Sequence, residues 1–134
     1  MITYVVKKMS RVAERISEGE HAVMEVLWAA DAPLTAVEVA ERIPAGRAWS
    51  ERTVKTMLAR LLAKGVLHHE EDGRRYLYRP AVARADHAAR ESRRLVDRLF
   101  GGRAAPLVAH LAADEGLSPD DIAELEALLK ALKS

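Results

Sequence analysis

Arg52, Thr56 and Arg60 recur at intervals of four residues, the spacing that sets side chains in one row along a helix. Thr53, Lys55 and Ala59 stand beside them, and Val54, Met57, Leu58, Leu61 and Leu62 take the opposite side. A guanidinium in such a row can grip a guanine edge or a phosphate, and a hydroxyl serves either. A small methyl meets thymine and lets a backbone approach. No acid follows Glu51 within the row, where it would repel phosphate. Two further arginines, Arg74 and Arg75, come directly after an Asp72-Gly73 pair. These are groups for recognition rather than for breaking bonds. The plainer alternative is an amphipathic helix with a solvated basic face, so the neighbouring elements must decide.

Other chemistries find less support. His68-His69 and Glu70-Glu71 have metal-ligating types, but neighbours on a strand point to opposite faces. Spacing gives no reason for His87 or His110 to complete a set, so no metal and no cofactor is expected. Glu18 with Glu20, and Asp120 with Asp121, look like catalytic carboxylate pairs, yet helix capping explains them. Neither a glycine-rich phosphate loop nor a nucleophile elbow is present. The chain has no cysteine, which removes disulfides, thiol nucleophiles and cysteine metal sites. The expectation is a protein that is not an enzyme.

The 134 residues, 49% hydrophobic and 31% charged, suit one domain or two small ones. Formal net charge is only +1, but it is unevenly spread. Residues 1–80 hold 13 Lys and Arg against 11 acids, a net of +2, and residues 81–105 hold six against three, a net of +3. Residues 106–134 hold two against six, a net of −4. The opening Met1 to Lys8 has an apolar run too short for a signal peptide, and no window approaches the ~18 apolar residues of a membrane span. A cytoplasmic chain without direct membrane binding is expected.

The elements that must carry the basic row can be read from caps and periodicity. Ser17 and Glu20 have capping-box spacing before a helix with Ala22, Val23, Val26, Leu27 and Ala30 on one face, flanked by Met24 and Trp28. Asp31-Ala32-Pro33 stops it. Thr35 and Glu38 open a second, short helix with Val39, Ala40 and Ile43, ending before Pro44. Ala45 to Ala48 reads as a loop. Ser50 caps the third helix, which carries the basic row, and Gly65 ends it. Asp72-Gly73 predicts a two-residue type I′ turn between two strands. Tyr76 and Tyr78 share one face of the returning strand, and Arg75, Leu77 and Arg79 the other. Three helices and a hairpin in this order predict a winged helix-turn-helix, with Arg74 and Arg75 at the tip of the wing.

Beyond Pro80 the pattern is helical. Val82, Ala85, Ala89, Val96, Leu99 and Phe100 form a broken stripe, interrupted at Gly101-Gly102. Leu107, Val108 and Leu111 form a short helix closed near Gly116. Ser118-Pro119-Asp120-Asp121 starts a last helix expected to bury Ile122, Leu125, Leu128, Leu129 and Leu132. Helices this small, over about fifty residues, need a partner surface. A second copy is the economical one, through Val96, Leu107, Leu111, Ile122, Leu125 and Leu129. The predicted architecture is therefore mainly α with a small β-hairpin: an extension at 1–15, a winged helix at 16–80 and a helical dimerisation region at 81–134.

Ile16-Ser17-Glu18-Gly19-Glu20, Val26-Leu27-Trp28 and Pro33-Leu34-Thr35-Ala36 resemble the opening of the BlaI/MecI/CopY family of penicillinase-type repressors. The likeness continues in register through Trp49 to Thr56, Arg60-Leu61, Lys64-Gly65-Val66-Leu67 and Gly73 to Tyr78. Leu99-Phe100-Gly101-Gly102 and Leu117 to Ile122 complete it. The resemblance implies a homodimeric repressor that reads an inverted-repeat operator in double-stranded DNA. The recognition helix would be residues 50–64, with Thr53, Lys55, Thr56 and Arg60 as operator contacts. It also implies release by cleavage near Leu99-Phe100, triggered through a membrane sensor-protease in the antibiotic-responsive members. Those members have asparagine where this chain has Leu99. The copper-responsive branch senses through C-terminal cysteines, which this chain lacks. Two readings stay open beside it: a winged helix that binds protein, and a regulator that answers to a small molecule. For both, losing Arg52, Lys55 and Arg60 would matter little.

Overall fold

In each of the first two helices a hydroxyl and a carboxylate three residues apart trade hydrogen bonds with the backbone. The computed structural model describes residues 15–114 and 116–134; the expected extension, apart from Arg15, lies outside them. Helix α1, Glu18–Ala29, starts where Ser17 Oγ accepts from the Glu20 amide at 3.1 Å and Glu20 Oε1 accepts from the Ser17 amide at 2.7 Å. Helix α2, Ala36–Arg42, repeats the device with Thr35 and Glu38. The segment expected as a loop contains a 3-10 turn, Ala45–Arg47, and Ala48 turns the chain at φ 43°. Helix α3, Glu51–Ala63, follows from Ser50. Strands β1, Leu67–Asp72, and β2, Arg75–Pro80, pair antiparallel from Leu67 with Pro80 to Asp72 with Arg75.

Val23, Met24, Val39, Val54, Leu58 and Leu61 are fully enclosed. They are the apolar faces of α1, α2 and α3 turned on one another. The segment before α2 also joins the hairpin: the Leu34 amide donates to Tyr78 at 3.0 Å, and the Tyr78 amide donates back at 2.7 Å. Three helices, this short third strand piece and the hairpin make a winged helix-turn-helix.

Register places Asp72 in the strand opposite Arg75, so the turn residues are Gly73 and Arg74. Among the described non-glycine residues only Ala48 has positive φ, so Gly73, at +68°, carries the reversal alone. Positive φ at the first central residue only is the type II′ pattern rather than the type I′ that Asp-Gly suggests. Val82, expected in the next helix, instead precedes it, and its carbonyl accepts from Trp28 Nε1 at 2.9 Å.

Helix α4 runs over Arg84–Phe100, α5 over Ala104–Ala113 and α6 over Pro119–Lys133. The chain divides into two compact units, one ending at Ala88 and the other spanning Ala89–Ser134. In the second unit only Val96 is buried among the described residues. The last helix was expected to bury five apolar residues. Within one chain Leu125 is half-buried, and Ile122, Leu128, Leu129 and Leu132 are exposed.

Candidate nucleic-acid interface

Helix α3 is anchored from behind and open in front. Val54, Leu58 and Leu61 are fully buried, while Arg52, Lys55, Thr56, Ala59 and Arg60 are exposed. Thr53 is half-buried, with its hydroxyl 3.1 Å from Ser50 Oγ. The Thr56 hydroxyl donates to the Arg52 carbonyl at 3.1 Å, which leaves its oxygen free to accept. Lys55 lies 3.5 Å from Glu51, one turn earlier, with both side chains about half exposed. Exposed pairs of this kind contribute about 0.3–0.5 kcal/mol, so a phosphate can readily take the lysine. Arg52 and Arg60 have no ion-pair partner among the described residues.

The wing adds two arginines with different situations. Arg75 is held to Asp72 by bonds of 3.1 and 2.9 Å, whereas Arg74 at the turn has no ion-pair partner among the described residues. Both line a groove of about 280 Å³ together with Val37, Glu51, Lys55 and Tyr76. The structure thus brings Lys55, Arg74 and Arg75 around one hollow, and leaves Arg52 and Arg60 on the open front of α3. One carboxylate, Glu51, lines this groove, and a second, Glu38, feels the charge of Arg75. Glu38 is held below the ordinary carboxylate range, first by the Thr35 amide and hydroxyl, with Arg42 and Arg75 assisting. In the groove lining, burial pushes the Tyr78 phenol up, and Tyr76 adds to it.

His68 and His69 do not form a metal centre with Glu70 and Glu71. His69 packs against Tyr76 and Tyr78, with ring centres 4.9 and 5.9 Å apart. No group of three His, Asp or Glu among the described residues is arranged to hold a metal ion.

The anchoring of α3 includes contacts that spacing does not disclose. Lys64, just past its last turn, donates to Glu20 Oε1 at 2.6 Å and to the Arg15 carbonyl at 2.9 Å. Burial pushes the Glu20 carboxyl up, but Lys64 and Ser17 outweigh it and hold the group below its ordinary value. At the other end, the Arg47 guanidinium stands 5.1 Å from the Trp49 ring and 3.4 Å from Glu18. Gly19 permits a close approach there: a Cβ would stand 2.9 Å from the Met57 methyl. The partners are 44 and 29 residues apart in the chain, beyond the reach of helical periodicity.

The family model described as penicillinase repressor matches residues 16–131. The chain belongs to the penicillinase repressor family. Within that family it is 31% identical to the penicillinase repressor of Bacillus licheniformis, over 90% of this chain and 93% of that protein. It is 29% identical to the methicillin resistance regulatory protein MecI of Mammaliicoccus sciuri, over 90% of this chain and 98% of that one. The solved DNA-binding domain of the repressor BlaI shares 36% identity, over 54% of this chain and 87% of that chain, with a TM-score of 0.48. The penicillinase repressor match begins at Ile16, immediately before the cap of α1. No helix among the described residues is long and apolar enough to cross a membrane.

Proposed function

We propose that this chain represses transcription by binding an inverted-repeat operator as a homodimer, in the cytoplasm. Helix α3 would enter the major groove, and Arg74 and Arg75 would meet the flanking backbone. One observation carries the reading: an exposed row of Arg52, Lys55, Thr56 and Arg60 on a helix whose opposite side buries Val54, Leu58 and Leu61 completely. A row so mounted can be pressed against bases without unfolding its support. Joining of two copies would fall to residues 81–134, through Leu107, Leu111, Ile122, Leu125 and Leu129; Val96, expected at the interface, is already buried within one copy. Support comes from the large apolar surface that one copy leaves uncovered, including Leu111 at 45% and Leu129 at 56% exposure. Two recognition helices on one face of DNA must stand about 34–36 Å apart, so loss of the dimer releases the operator.

Release by cutting near Leu99-Phe100, through a sensor-protease pathway, fits the end of α4. Leu99 is 55% exposed, and Gly101 and Gly102 leave the helix in left-handed conformations at φ 58° and 87°. A protease would need only the last turn to unwind.

Fluorescence anisotropy tests the main proposal, with the chain's own upstream DNA against a scrambled duplex of equal length across a salt series. Two subunits should bind the first duplex specifically. Changing Lys55 and Thr56 to alanine should weaken this by about 1–3 kcal/mol for each base-reading side chain removed. Equal affinity for both duplexes, or no binding at low salt, would sink the operator reading.

A further inference from the structure

We infer that the Glu20–Lys64 pair is a positioning device for α3, acting on sequence discrimination without touching DNA. This rests on the reading that α3 enters the groove. The Glu20 side chain is 3% exposed and that of Lys64 is 22% exposed, with 2.6 Å between their charged atoms. The same carboxylate oxygen accepts the Ser17 amide that begins α1, and the same ammonium holds the Arg15 carbonyl. The start of α1 and the end of α3 are therefore tied at a shared point. A cation there also faces the negative end of the α3 dipole.

The pair is poorly suited to a role in stability alone. Desolvating two charges costs about as much as their attraction returns, and apolar replacements of a buried pair are often neutral or better. Its distinctive property is that it fixes a distance between two elements far apart in the chain. Behind α3, its Val54, Leu58 and Leu61 pack in one core with Val23, Met24 and Val39, contacts that set no particular distance, whereas the charged hydrogen bond holds Lys64 2.6 Å from Glu20. Lever length makes small rotations matter. Arg52 lies twelve residues before Lys64, about 18 Å along the axis at ~1.5 Å per residue. A tilt of about 5° at Lys64 moves Arg52 by ~1.5 Å, whereas good donor-acceptor distances span only about 0.5 Å. Near the other end of the lever, Gly19 and Glu18 receive Met57, Trp49 and Arg47. The first turn of α1 thus meets α3 at two places along its length.

The full chain with Lys64→Met, Lys64→Arg or Glu20→Gln tests the proposal. Titrations use upstream and scrambled duplexes across a salt series, and amide NMR spectra are taken without DNA. In Lys64→Met, specific affinity should fall at least tenfold with scrambled-duplex affinity and salt slope unchanged, and Lys64→Arg should restore most of it. A slope smaller by about 0.9 would make Lys64 a phosphate contact and overturn the proposal. So would unchanged discrimination per folded molecule. Glu20→Gln keeps an acceptor for the Ser17 amide and carries the same test should Lys64→Met not fold. If the unaltered chain discriminates no duplex, the operator reading has failed and the spectra decide the positioning. Shifts reaching back along α3 to Thr53 support it, and shifts confined to residues 61–66 overturn it.

Discussion

The two units solve the problem of burying apolar surface differently. The unit ending at Ala88 closes a core of six fully enclosed side chains from α1, α2 and α3. In Ala89–Ser134, Val96 is buried at 5% exposure, while Leu99, Leu128, Leu129 and Leu132 range from 55% to 73%. The apolar content of α5 and α6 is not smaller; its burial is unfinished within one copy. A domain that presents a surface benefits from finishing its own core, and one that recruits a copy must leave part of its core open. The proposed division of labour between reading and assembly follows from that contrast.

The contrast can be broken hardest at Leu58. It is fully buried, and Leu58→Ala should destabilise the first unit by about 2–5 kcal/mol in urea unfolding, because the cavity cannot fully collapse. A loss below about 1 kcal/mol would mean that this core is not closed in solution. Next in size is Leu129→Asp. Sedimentation equilibrium should find the dimer weakened at least tenfold, which is about 1.4 kcal/mol or more. Thermal unfolding of the first unit should hardly change. Undiminished dimerisation would remove Leu129 from the interface.

The smallest effect is a pH dependence, best followed on the Leu129→Asp chain, where association does not interfere. Three carboxylates of the first unit are held low: Glu25 chiefly by the Arg84 hydrogen bond, Glu38 by Thr35, and Glu20 by Lys64 and Ser17 against the effect of burial. A lowered folded value means that the unfolded chain takes up protons first. The stabilisation is therefore complete above the ordinary carboxylate range and is lost as pH falls through the lowered values. Urea midpoints at pH 7, 5, 4 and 3 should be level at first and decline below about pH 4.5. A level profile to pH 3 would show that these interactions do not persist in solution.

Much of the fold was legible because its determinants are local. Ser17, Thr35, Ser50 and Ser118 each cap the helix expected of them, since a cap involves residues only three apart. The periodicity of Val54, Leu58 and Leu61 likewise separates the two sides of α3. What escaped depends on distance or on competition. The Lys64–Glu20 tie and the Leu34–Tyr78 bridge join residues 44 apart in each case. Asp72 has a strong preference for turns, but its carboxylate is bound by Arg75 across the register, and Gly73 alone bends the chain. In α6 the leucine stripe announced a need for burial without saying which molecule would supply the cover. Exposure of the candidate contacts was readable, while the occupation of the Thr53 and Thr56 hydroxyls by their own helix was not.

The pairing register of the wing also sets a rule for how its reach can change. Each strand has six residues and so spans about 20 Å at ~3.3 Å per residue. Adding one residue to each strand would lengthen the arm but rotate its tip, because successive side chains face opposite ways. Adding two to each restores the orientation of Arg74 and moves it outward by about 7 Å. Insertions and deletions here are therefore quantised, and a wing of intermediate length would present the wrong face.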